Sequence, residues 1–282
     1  MRFASYKTPD GTPTWGIERD GVLYDLGPSG KNLAPSLKSA VVSGLFAANN
    51  ADIAGAPTIS VDDATFLPPI VDPGKIVCIG VNYRSHRDEI GKPAPTAPTV
   101  FTRFADSQMG HNTPAIRPGV SNAFDYEGEM ALVIGTNAYH VAEENAWEYI
   151  AGYGAYNDFS VRDWQKASSQ WTPGKNFPDT GAFGPYLVPA SDIEDITALT
   201  LETRVNGEVR QSASIADLIF DIPQIIAYVT AFTPLNAGDV IVTGTPGGVG
   251  QFMQPQGLLN HGDVVEVEIT GLGVLSNHVV QG

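Results

Sequence analysis

The sequence predicts a strand-rich α+β protein in which a small N-terminal unit precedes a larger, closed or rolled β architecture. Three observations predict it. Short apolar or alternating runs recur along the chain, bounded by Gly, Pro, Asn and Asp. Asn206-Gly207 lies between two such runs and is a strong type I′ hairpin signal, which makes those strands antiparallel. Helical spacing of apolar residues is confined to a few segments, too few to serve as crossovers in a doubly wound sheet.

The runs MRFASYK, TPTWGIERD and GVLYDLG read as short strands, with Arg19-Asp20-Gly21 turning between the last two. A helical pattern follows over 34–46 through Leu37, Val41, Val42 and Leu45. Leu67-Pro68-Pro69 and Asp72-Pro73-Gly74 punctuate a boundary near residue 72, which divides the chain into units 1–72 and 73–282. Beyond it, strands are expected at 75–80, 99–104, 127–135, 152–157, 199–205, 208–212, 239–243 and 263–270. Helices are expected at about 142–149, 160–168 and 222–232.

The chain has 282 residues, enough for one large or two modest domains. Its net charge of −15 argues against nucleic acid and anionic membrane surfaces as partners. An acidic substrate would have to find positive charge supplied locally by the site. The one cysteine, Cys78, excludes an internal disulfide and a thiolate metal cage, and its apolar setting in KIVCIG marks it as a core filler. The N-terminus lacks a hydrophobic targeting segment and no run of about 18 apolar residues occurs, so the expectation is a cytoplasmic protein.

Chemistry concentrates in three carboxylates, Glu127 and Glu129 in DYEGEMALVIG and Asp158 in AYNDFSVRD. The apolar run that follows makes 127–134 a strand, and side chains alternate along a strand. Glu127 and Glu129 therefore share a face, roughly 7 Å apart. Two anions on a buried face repel and resist desolvation, so they need a cation. Oxygen-only ligands favour Mg²⁺ or Mn²⁺ over zinc. A second Glu-x-Glu, Glu266 and Glu268 in DVVEVEITG, sits in a clean alternation and is expected to face water. Asp158 also fits the N-cap of a helix opening at about Ser160.

In NYRSHRDEIG, His86 and Glu89 are spaced to pair on one face of a short helix, where a carboxylate raises imidazole basicity. The same segment also fits an ordinary solvated loop. GKPAPTAPT after it suits the hinge of a lid. Lys175 in WTPGKNF is either a snorkelling surface lysine or the local positive charge that the acidic chain otherwise lacks. The loop Thr243-Gly244-Thr245-Pro246-Gly247-Gly248 is not a P-loop. It is either a tight turn or a source of hydroxyl and N–H donors for an anion.

Together, NYRSHRDE, DYEGEMALVIG, GYGAYNDFSVRDWQ, PGKNF with GAFGP, and AGDVIVTGTPGGVG resemble the fumarylacetoacetate hydrolase family, in its order, over about residues 73–282. The resemblance implies a mixed β-roll/β-barrel catalytic domain behind a small N-terminal domain. It implies Mg²⁺ or Mn²⁺ held by Glu127, Glu129 and Asp158, a lid dyad of His86 and Glu89, and catalytic Lys175. It further implies substrate contacts from Gln165 and Thr245, and a homodimer acting on a small organic acid. The reaction expected is hydrolysis of a C–C bond in a 2,4-diketo acid of the acylpyruvate type. A decarboxylase or isomerase of oxaloacetate-like or hydroxymuconate-like acids is the alternative, and a non-enzymatic organic-acid binder is the third. The segment PGKNFPDTGAF departs from many relatives, which leaves the pocket wall, and so the substrate, open.

Overall fold

The computed structural model describes residues 1–46 and 53–282. Alternating and continuous apolar runs become strands, as expected, and these assemble into open mixed sheets. The larger sheet runs, from edge to edge, through Thr58–Ser60, Val22–Asp25, Pro13–Arg19, Arg2–Lys7, Gly181–Pro189, Ile150–Asp158, Gly128–Ile134, Val240–Val242, Ile76–Gly80 and Thr99–Arg103. A second sheet contains Glu208–Ser214, Thr200–Val205, Val264–Ile269, Gly273–Gln281 and Ala115–Arg117. The strand-rich mixed β class therefore holds, and no sheet of the described residues closes into a barrel. Pairing is mostly antiparallel, with Val240–Val242 beside Ile76–Gly80 as a parallel exception.

The N-terminal strands join this scaffold edge to edge, through Phe3 opposite Leu187. The apolar core also crosses residue 72. Phe3 and Trp15 pack in one cluster with Ile76, Ala131, Val133 and Val242. Met130, Leu132 and Ile134 face the other way, into a cluster with Leu201, Val267 and Leu275 of the second sheet. Gly128–Ile134 is therefore buried on both faces, which is why its sequence is continuously apolar rather than alternating.

Several helices are shorter than their patterns suggest. Ile222–Phe232 forms as expected, closed at its start by an Asp221–Gln224 capping box. The 34–46 pattern gives helix only at Leu37–Val42, and 142–149 becomes the 3₁₀ turn Glu143–Tyr149. The expected helix at 160–168 opens later, at Arg162–Lys166, because Ser160–Val161 pairs with Phe124–Asp125 first. Asp158 is therefore the last residue of the Ile150–Asp158 strand and not a helix N-cap.

Candidate metal centre and cavity

Register brings the three carboxylates together. Strands Gly128–Ile134 and Ile150–Asp158 pair with Gly128 opposite Asn157, so Glu127 lies across from Asp158, and the Asp158 N–H donates to the Glu127 carbonyl at 2.9 Å. Oxygens of Glu127, Glu129 and Asp158 lie within 4.8 Å of one another, and all three residues are buried.

Three cations share this interior. Lys175 donates to Glu127 Oε2 at 2.6 Å and to Asp158 Oδ2 at 2.5 Å. Arg162 Nη1 donates to Glu127 Oε1 at 2.5 Å and to Gln165 Oε1 at 3.0 Å, while its Nε donates to Asp125 Oδ2 at 2.8 Å. Arg103 pairs with Asp158 and donates to Thr180 Oγ1 at 2.7 Å. Burial pushes the Glu127 carboxyl up, but Lys175 and Arg162 outweigh it and hold the group well below the usual carboxylate range. Burial also draws the Lys175 ammonium down, yet Asp158 and Glu127 raise it above the ordinary lysine value and keep it charged.

Glu129 stands apart. Its Oε2 accepts from the Gly244 N–H at 2.6 Å, and no cation of the described residues forms an ion pair with it. Burial first, then the charges of Asp158 and Glu127, push its carboxyl well above the usual range. Counting Asp125, Glu127, Glu129 and Asp158 against Arg103, Arg162 and Lys175 leaves one buried anion uncompensated. A divalent cation among the three clustered carboxylates would relieve that frustration. An all-oxygen donor set suits Mg²⁺ or Mn²⁺, so the residues fit the ion that the sequence implied. Gly244 must be glycine: its φ is +109°, and a Cβ would lie 2.7 Å from the Asn82 Cβ. The TGTP turn thus directs its N–H at Glu129, a carboxylate of the protein itself.

A cavity of about 290 Å³ opens beside the triad, lined by His86, Glu127, Glu129, Arg162, Gln165, Lys175 and Thr245 among others. The helix Arg84–Glu89 delivers the expected dyad: His86 Nδ1 lies 2.9 Å from Glu89 Oε2. An acceptor-only carboxylate makes Nδ1 the protonated nitrogen, which leaves the Nε2 lone pair free to take a proton. The helix is fastened down by the Gly248 N–H, which donates to Glu89 Oε1 at 2.9 Å, and by the Gly247 N–H, which donates to Ser85 Oγ at 3.1 Å. Phe252 packs on the His86 ring at 6.1 Å between centroids.

All eight residues singled out from the sequence lie in or against this one site. Their partners refine two of them. The Thr245 hydroxyl donates to the Gly128 carbonyl at 2.9 Å and accepts from Gln211 Nε2 at 2.7 Å, so it is already paired within the protein. Lys175 grips the carboxylate triad itself. Sequence reasoning missed Arg162, Arg103 and Asp125. Arg162 matters most, because it lines the cavity while its Nη2, though buried, has no hydrogen-bond partner. The one available signal was arithmetic: clustered carboxylates demand cations, and Arg162 stands four residues after Asp158.

Scaffold and centre together define a class, strand-rich mixed sheets that carry a buried acidic triad shaped for a divalent ion. Known proteins make the class particular. The model described as fumarylacetoacetate (FAA) hydrolase C-terminal matches residues 75–280. The chain belongs to the fumarylacetoacetate hydrolase family. It is 37% identical over 288 residues to the mitochondrial oxaloacetate tautomerase fahd2 of Xenopus laevis, covering 99% of this chain and 90% of that protein. To oxaloacetate tautomerase YisK of Bacillus subtilis it is 40% identical over 232 residues, 81% of this chain and 77% of the relative. The solved fumarylacetoacetate hydrolase of Exiguobacterium antarcticum superposes with a TM-score of 0.89 at 36% identity, covering 100% of both chains. The maleylpyruvate hydrolase of Sphingobium sp. SYK-6, solved with manganese(II) and pyruvate, superposes at 0.83 with 26% identity, again over 100% of both. No helix of the described residues is long and apolar enough to cross a membrane.

Proposed function

We propose that this chain is a divalent-metal-dependent tautomerase that interconverts the keto and enol forms of a small 2-keto dicarboxylic acid of the oxaloacetate type. The observation that carries the reading is that His86, paired with Glu89, lines one small cavity together with Glu127 and Glu129 of the acidic triad. Its volume of about 290 Å³ is at the lower end for ligand sites, which favours a substrate of few carbons. Likeness to oxaloacetate tautomerases along nearly the whole chain supports the same choice.

The residues have separable tasks. Glu127, Glu129 and Asp158 would hold Mg²⁺ or Mn²⁺. When bound, the ion supplies a Lewis acid that polarises the keto oxygen. Arg162 Nη2 receives a substrate carboxylate, as a buried and unpaired guanidinium N–H is suited to do. Lys92 and Lys166 also line the cavity and form no ion pair among the described residues, which suits a second carboxylate. His86 Nε2 takes a proton from C3 of the keto form and delivers it to the C2 oxygen. One group moves one proton and no water is consumed. Glu89 holds the ring and stabilises the imidazolium formed in between.

Hydrolysis of an acylpyruvate is the second reading, favoured by the apolar wall of Ile79, Phe101, Trp171 and Phe252, which would receive an acyl chain. It uses the same dyad to deprotonate water. One experiment separates the two. Purified protein with Mn²⁺ is given enol oxaloacetate and a panel of acylpyruvates in ¹⁸O-labelled water. Decay of the enol absorbance with no labelled carboxylic acid supports tautomerisation. Labelled acid from an acylpyruvate, with enol decay at the uncatalysed rate, transfers the assignment to hydrolysis.

A further inference from the structure

Asp125 is fully buried, and both of its oxygens are committed. Oδ1 accepts from the N–H groups of Tyr126 at 3.0 Å and Gly250 at 2.9 Å. Oδ2 accepts from the Gln251 N–H at 2.9 Å and from Arg162 Nε at 2.8 Å. The carboxylate comes close to Arg162 because Phe124–Asp125 pairs with Ser160–Val161, Asp125 opposite Ser160, and Arg162 is the next residue in the chain. Position 250 accommodates this approach: a Cβ there would lie 2.6 Å from Asp125 Oδ1, so only glycine fits.

A carboxylate held by three main-chain donors from two segments cannot rotate, and whatever it grips inherits that fixity. It grips a planar group. With Nε on Asp125 and Nη1 on Glu127 and Gln165, the guanidinium plane is set, and Nη2 is left as its free donor. Without Asp125, the guanidinium would lose one of its two anions and be drawn to Glu127, which Lys175 already occupies.

We propose that Asp125 is a positioning residue. It acts through Arg162, setting the guanidinium so that Nη2 meets the substrate carboxylate. This rests on the reading of Arg162 given under the proposed function.

The test compares wild type, Arg162→Ala, Asp125→Asn and the double variant, with saturating Mn²⁺. Two readouts are used: oxaloacetate tautomerisation, and calorimetric binding of oxalate, which carries the carboxylate and adjacent oxygen of a 2-keto acid. Asparagine at 125 turns an amide donor towards at least one existing donor and removes the charge. Asp125→Asn should raise KM and weaken oxalate binding about tenfold with kcat changed less than about threefold. In the Arg162→Ala background the same change should cost less than about twofold. If Arg162→Ala leaves KM and oxalate affinity unchanged, Arg162 does not receive the carboxylate, and the proposal fails with that reading. If Arg162→Ala weakens both but Asp125→Asn costs the same factor with and without Arg162, the reading stands and the proposal is overturned, Asp125 then serving only the Gly250–Phe252 turn. Should Asp125→Asn not fold, free guanidinium added to Arg162→Ala decides. Saturating rescue by guanidinium but not by methylammonium supports a receptor built for a planar fork. Equal rescue by both overturns it.

Discussion

The chain carries Glu-x-Glu twice, and the two copies have opposite fates. Glu127 and Glu129 open a strand buried on both faces and converge with Asp158. Glu266 and Glu268 lie on Val264–Ile269, where Val265, Val267 and Ile269 take the core face and the glutamates keep side-chain exposures of 33% and 46%. There Arg204 clasps both, with Nε 3.1 Å from Glu266 and Nη1 2.8 Å from Glu268. A motif of two residues carries no chemistry by itself. The flanking pattern decides whether its charges meet water or one another, and only in the second case do they become a site.

The largest expected effect is a test of that distinction. Glu129→Gln and Glu127→Ala should each abolish Mn²⁺ binding by calorimetry and metal-dependent activity with it, since each removes a donor from a three-carboxylate set. Glu266→Gln and Glu268→Gln should leave both within about twofold of wild type, as surface substitutions away from special features do. Metal binding lost from the second pair, or kept in the first, would break the comparison.

Next in size is the dyad. His86→Ala should lower kcat by about 10² to 10⁴, the usual contribution of a positioned proton-transfer group, while oxalate affinity changes less than about threefold. A kcat unchanged from wild type would place proton transfer elsewhere.

Protonation sharpens the contrast further. Folding raises the Glu129 carboxyl, so the folded chain binds that proton more tightly than the unfolded chain does. The resulting stability is fully present below the ordinary carboxylate range and is lost as pH rises towards the raised folded value, by roughly 1.4 kcal/mol per pH unit at most. Metal-free wild type should therefore lose stability relative to Glu129→Gln as pH increases, because glutamine cannot ionise. Urea midpoints of the two metal-stripped proteins at several pH values would show it, and parallel curves would contradict it. Mn²⁺ favours the ionised carboxylate and should reverse the trend in wild type.

How far the sequence carried depends on whether a pattern is local. The triad was legible because strand periodicity, a local rule, puts Glu127 and Glu129 on one face, and because family motifs pointed to Asp158. The His86–Glu89 pair was legible for the same reason, since a three-residue spacing is fixed within one helical turn. Buried cations were not. Arg103, Arg162 and Lys175 look like any surface basic residue until the sheets close over them. Lys175 was open between a surface lysine and the local positive charge of the site until family likeness gave it a catalytic role, and Arg162 and Arg103 did not enter at all. Strand Gly181–Pro189 was missed because GAFGPYLVP reads as loop. The opposite strand absorbs its Gly-Pro through a register shift between Tyr153 and Ala155. Closed and rolled alternatives stayed open in the sequence, because strand content says nothing of whether the edges meet.

The smallest effect concerns the clasp on the second pair. Arg204 binds three glutamates, Glu202 at 2.7 Å as well as Glu266 and Glu268, a count that looks as rich as the interior of the site. Its surroundings are wet, however. Two of its three partners keep more than a third of their side-chain surface in water, so solvent screens the attraction and the long side chains lose entropy in meeting. Three such contacts on one guanidinium are not three independent gains. Arg204→Gln should destabilise the protein by no more than about 1 kcal/mol, less at high salt, without altering Mn²⁺ affinity. Arg162, with a similar number of carboxylate and amide partners, is the control: Arg162→Gln leaves Asp125 buried without a cation and Glu127 with Lys175 alone, and should cost about 3–5 kcal/mol. Urea titrations of the two variants side by side measure the difference. A loss for Arg204→Gln as large as that for Arg162→Gln would mean that burial does not separate the two glutamate pairs after all.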